Sequence, residues 1–63
     1  MMTPLEVACD IQRQLILALR RVRATCPGWW SEAQVQEAQG RDLECISLKA
    51  EADLAWQRLG GKA

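Results

Sequence analysis

Two helix-start signatures on either side of a proline–glycine turn constrain this chain more than anything else in it. The first reads Thr3-Pro4-Leu5-Glu6. Threonine at the cap, proline at the first helical position and glutamate three residues after the cap form a capping box, with proline where its missing N–H costs nothing. The second reads Ser31-Glu32-Ala33-Gln34, a Ser-x-x-Gln box. Trp30 just before that cap and Val35 four positions into the helix stand at the two places of a hydrophobic staple. Between the boxes, Pro27 disfavours helical geometry at Cys26 and Gly28 follows, so the chain must turn.

These signals predict a helix over about residues 4–24, a turn over 25–31 and a second helix over about 32–59, ended by Gly60-Gly61. Gly40 is the one interruption, since glycine costs up to about 1 kcal/mol in a helix interior. If it breaks the helix, Asp42 can cap a third segment from Leu43 to Leu59. No strand pattern competes, because the chain has no tyrosine, phenylalanine, Asn-Gly or Asp-Gly. A turn of about six residues favours antiparallel neighbours. The expected fold is all-α: one domain over residues 1–63, built as a two-helix antiparallel hairpin.

At 100° per residue, Val7, Ala8, Ile11, Leu15, Ala18, Leu19 and Val22 form a broad apolar stripe on the first helix, widened by Leu5, Cys9 and Ile16. Leu17 stands apart in the polar arc. The second helix has two apolar faces. One carries Val35, Leu43, Ile46, Ala50 and Leu54; the other carries Ala38, Cys45, Leu48, Ala52, Trp56 and Leu59. Charged seams separate them, with Glu37, Glu44, Glu51 and Arg58 on one side and Asp42, Lys49 and Asp53 on the other. A single partner helix covers only one face, and soluble monomers rarely tolerate a large open apolar patch. The expected remedy is a homodimer, two hairpins closing into a four-helix bundle. The second face, with Cys45, Leu48, Ala52, Trp56 and Leu59, is the expected dimer interface.

Size supports that need for a partner. A domain of 63 residues buries only about 60% of its unfolded surface, and scaffolds this small usually rely on a disulfide, a metal or association. The three cysteines, Cys9, Cys26 and Cys45, are an odd number, which leaves a thiol unpaired. Cys9 and Cys45 adjoin apolar stripes and read as small core residues, whereas Cys26 in the turn is expected to be the most exposed. The chain has no histidine and no Cys-x-x-Cys pair, so no metal site and no cofactor are expected. The N-terminal residues carry no signal-peptide pattern, and the apolar run Leu15–Leu19 is too short to cross a membrane. Together with the thiols, this places the expected compartment in a reducing cytoplasm.

Function is expected to be binding rather than catalysis. There is no histidine to serve as base, no phosphate loop, no metal spacing, and too little chain to enclose a pocket. Trp29-Trp30 is the most unusual feature; adjacent turn residues rarely both bury, and tryptophan is enriched in binding hot spots. Arg13, Arg20 and Arg21 share one side of the first helix, and in a dimer could meet the phosphates of RNA or DNA. The zero formal charge gives no general attraction to nucleic acid. Glu37, Glu44 and Glu51, seven residues apart, could pair with a basic groove on a partner. The leading expectation is therefore a protein-binding module that docks on a larger protein and modulates or inhibits it, as small proteins of phages and mobile elements do to host machinery. Nucleic-acid binding through helix one and a structural subunit of an assembly are the alternatives.

Overall fold

A computed structural model describes residues 1–60, which form three helices. They are α1 (Pro4–Thr25), α2 (Glu32–Arg41) and α3 (Leu43–Gly60). Gly61, half of the expected stop signal, lies outside the described residues.

Both helix starts are closed by reciprocal hydrogen bonds. The Glu6 N–H donates to Thr3 Oγ1 at 3.1 Å, and the Thr3 N–H donates to Glu6 Oε1 at 3.0 Å. Ser31 and Gln34 repeat the exchange at 3.3 and 2.8 Å. Each box satisfies N–H groups that a helix start leaves without an intrahelical partner. Helix α1 stops at Cys26, whose backbone is extended just before Pro27. The turn is closed by the Trp30 N–H donating to the Pro27 carbonyl at 3.1 Å.

The second helix is not continuous over 32–59 but broken at Asp42, so the expected two-helix architecture is corrected to three helices. Asp42 is extended (φ −75°, ψ 124°) and serves both sides of the break. Its N–H donates to the Gln39 carbonyl, while its carboxylate accepts from the Cys45 N–H at 3.0 Å and its carbonyl from the Ile46 N–H at 3.0 Å. Aspartate two residues after a glycine offers α3 a start better satisfied than helix continuation.

The break is pinned to α1 from two directions. Arg21 bridges Asp42 Oδ2 at 3.0 Å and Glu44 Oε1 at 2.9 Å. Gln39 Nε2 donates to the Leu19 carbonyl at 2.9 Å. At the other end of the molecule, Trp56 Nε1 donates to Gln12 Oε1 at 3.2 Å. Residue 21 thus meets 42–44 and residue 12 meets 56, so α1 and α3 run antiparallel. They form the main contact of the fold, and α2 touches both.

The interior is thin. The buried side chains are Ala8, Ala18, Val22, Val35, Cys45 and Ala52, all small or medium. Ala18, Val22 and Cys45 form the central cluster, with half-buried Leu19, Cys26, Ala38 and Leu48 around it. The break at Asp42 leaves α2 and α3 as separate helices, so their apolar faces need not share one phase. Val35 turns inward with Cys45 while Leu43, Ile46 and Leu54, its expected face-mates, stay exposed. The radius of gyration is 13.7 Å, against about 10.6 Å for a compact domain of this length.

Candidate protein-interaction surface

Helix α3 is apolar on two sides, and only one of them is used. Cys45 and Ala52 are buried and Leu48 and Ala55 half-buried on the side facing α1. Trp56 and Leu59 lie at the margin of that side, 41% and 36% exposed. Part of the expected dimer interface therefore faces the chain's own α1. Cys45, Leu48 and Ala52 form the intrachain contact with α1, and Trp56 is tied to Gln12. The Arg21 pairs with Asp42 and Glu44 tie the start of α3 to α1 with this face inward.

The opposite side is left bare. Leu43 is 81% exposed, Leu54 54% and Ile46 47%, with exposed Ala50 between them. Their spacing of three, four and four residues makes one straight stripe along a helix. Ile46 and Ala50 also border a groove lined by Leu15 and Leu19 of α1 and Gly40 of α2. A side chain added at Gly40 meets nothing within 4 Å, so the glycine is not required by close packing within the chain.

The charged residues divide into engaged and unengaged groups. Arg21 is committed to Asp42 and Glu44, Arg23 to Glu32, and Arg41 to Glu37. Among the described residues Arg13, Arg20, Lys49, Glu51, Asp53 and Arg58 make no ion pair. Of the three arginines expected on one basic face, Arg21 is turned to an intrachain task. Arg13 and Arg20 instead border a shallow groove with Cys9, Ile16, Leu17 and Trp56. Of the three glutamates in the acidic seam, Glu37 and Glu44 are ion-paired and Glu51 is not.

The fixed hydrogen bonds shift several acidities. Backbone and side-chain bonds from Thr3 hold Glu6 below its ordinary range. Arg23 does so for Glu32, and the Cys45 N–H, followed by Arg21, does so for Asp42. Burial pushes the Cys45 thiol up, so it stays protonated.

Cys45 is buried in the core as expected, but the other two cysteines differ from their expected roles. Cys9 is exposed, whereas Cys26 is half-buried with its Sγ 3.3 Å from the Val22 carbonyl, a thiol donor bond. All three are free thiols. No group of His, Cys, Asp or Glu side chains among the described residues is arranged to hold a metal ion. No helix among them is long and apolar enough to cross a membrane.

Trp29 and Trp30 part company in the turn. Trp29 is 79% exposed, while Trp30 is half-buried and lines a shallow groove with Gln34, Glu37, Ala38 and Arg41. The two rings meet edge to face, with centroids 6.5 Å apart and planes at 80°. That geometry is favourable for aromatic pairs, and it props the Trp29 ring outward.

The fold and surfaces thus define a small all-helical chain with a thin interior and a large open apolar area. Comparison with family models, curated proteins and solved structures finds no match to this chain.

Proposed function

We propose that this chain is a non-catalytic protein-binding module that docks on a larger protein and modulates it, inhibition by occlusion being the simplest mode. The observation that carries the reading is Trp29, a 79% exposed indole at the tip of a turn, braced edge-on by Trp30. A large aromatic ring already held in one place loses little conformational freedom on burial, which is the property of a hot-spot anchor. Catalysis has little support. The chain has no histidine, the Cys45 thiol is buried and protonated, and the Cys26 thiol is bonded to a carbonyl.

The nucleic-acid alternative rests on fewer charges than the sequence offers. With Arg21 held by Asp42 and Glu44, Arg13 and Arg20 remain as phosphate contacts. Two contacts give a log–log salt slope of only about −2 for one copy, and the four of a dimer about −4.

The test is site-specific photo-crosslinking in the producing cell. A photoreactive residue at Trp29 is expected to give a discrete adduct heavier than two copies of the chain. The same residue at exposed Gln14 is expected to give none. Excess unlabelled chain should compete the adduct away, and its Trp29→Ala variant should not. Adducts of equal yield at both positions, or competition by the variant, would refute the reading.

A further inference from the structure

The outer stripe of α3 has a self-complementary arrangement of charge. Glu44, Glu51 and Arg58 follow one another at seven-residue spacing along one flank of Leu43, Ile46, Ala50 and Leu54, and Lys49 and Asp53 lie along the other. When two identical helices pack antiparallel, like flanks meet. With the two-fold axis near Ala50, Lys49 of one copy then lies opposite Asp53 of the other, and Arg58 opposite Glu44, each pair occurring twice. Ile46 meets Leu54 of the second copy, and Ala50 meets Ala50 where the helices cross. A small residue at the crossing lets the two backbones approach closely. A parallel pair, which matches flanking charges at an offset of five, keeps only Asp53 with Arg58. Lys49, Asp53 and Arg58 have no ion-pair partner among the described residues.

The surface area points the same way. The chain exposes 4912 Å² at a mass of 7.1 kDa, whereas a closed monomer of that mass exposes about 4,100 Å². The excess is several hundred Å², of the order that a standard interface takes from each partner, ~800 Å².

We propose that the occupant of this stripe is α3 of a second copy of the chain, packed antiparallel about a two-fold axis near Ala50. The proposal is independent of the Trp29 reading, because the two surfaces share no residue. Two contacts oppose it: beside the axis Lys49 comes near Lys49 of the second copy, and Glu51 meets Glu51. Removing the glutamate repulsion, as in Glu51→Gln, is expected to tighten the dimer.

The test uses the full chain with Cys9→Ser and Cys26→Ser, leaving buried Cys45 in place. Under mild oxidation Ala50→Cys is expected to cross-link to its own copy, and Leu43→Cys, far from the axis, is expected not to. In parallel, sedimentation equilibrium is expected to show Lys49→Asp raising the dimer Kd by roughly tenfold, through lost pairs and new repulsions. The exchanged variant Lys49→Asp/Asp53→Lys is expected to return it to the wild-type value. These side chains are exposed, and circular dichroism should report unchanged helicity in each variant. Efficient cross-linking of Leu43→Cys, no cross-linking of Ala50→Cys, or no recovery in the exchanged variant would each overturn the proposal. The photo-crosslink at Trp29 is read separately, so either idea can fail while the other stands.

Discussion

At the scale of single residues, the largest consequences follow from Gly40, Asp42 and Trp29. Gly40 lies inside α2, and an added Cβ there meets nothing. Gly40→Ala should therefore stabilise the fold by about 0.5–1 kcal/mol through reduced freedom of the unfolded chain. A denaturant titration checks this; a destabilised variant would mean that a partner or second copy needs the gap. Asp42, Glu6 and Glu32 all hold their protons more weakly than in an unfolded chain. The unfolded state thus binds more protons, so the stability they lend is complete above an unfolded pKa of about 4 and lost as pH falls through their lower folded values. Cys45 acts in the opposite sense. Its raised value lends stability that is complete below an unfolded pKa of about 8.5 and lost as pH rises through the folded value. Unfolding midpoints should therefore be flat between about pH 5 and 8 and fall on both sides. Asp42→Asn should shrink the acid limb; an unchanged limb would assign it elsewhere. Trp29→Ala should leave the unfolding midpoint nearly untouched, because so little of the ring is buried.

At the scale of elements, the helix starts were legible because their signals are local. Thr3 with Glu6 and Ser31 with Gln34 need only residues within one turn, and both boxes formed. Ser31→Ala should cost about 1 kcal/mol, measurable as a lowered denaturation midpoint. The break at Asp42 was legible only as an alternative. Local signals leave helix continuation and a new cap nearly balanced there, and the balance is tipped by Arg21 reaching from α1 to Asp42 and by Gln39 of α2 reaching back to the Leu19 carbonyl, partners some twenty residues apart in sequence. Arg21→Ala should loosen the α2–α3 junction first, seen as faster amide exchange at Cys45 and Ile46 with α1 little changed. Equal acceleration throughout the chain would show that the junction is not a separate unit. The direction of α3 was not legible at all. Its two apolar faces are alike in composition, and choosing between them needs the phase across a break that the sequence leaves open. Hence Cys45, Leu48 and Ala52 turned inward and Leu43, Ile46 and Leu54 outward. The exposed Cys9 and half-buried Cys26 follow from the same limitation, because a residue at a stripe's edge is buried only if a neighbour reaches it.

At the scale of the whole molecule, the six side chains buried among the described residues, all small or medium, must hold three helices together. Truncations in this core should still matter, since each is a large fraction of the apolar burial. Val22→Ala should cost about 1–2 kcal/mol, enough to unfold much of a marginal 63-residue chain. What the single copy lacks in core it carries on its surface, in the α3 stripe and at Trp29. On the proposal above, the stripe is closed by association and contributes to stability only then. A species that folds and associates together melts at a temperature that rises with its concentration. The most direct measurement is thermal unfolding over a thousandfold range of concentration, for the chain and for its Leu54→Asp variant. The melting temperature is expected to climb with concentration for the chain and to be constant and lower for the variant. A melting temperature independent of concentration, equal in both, would contradict it.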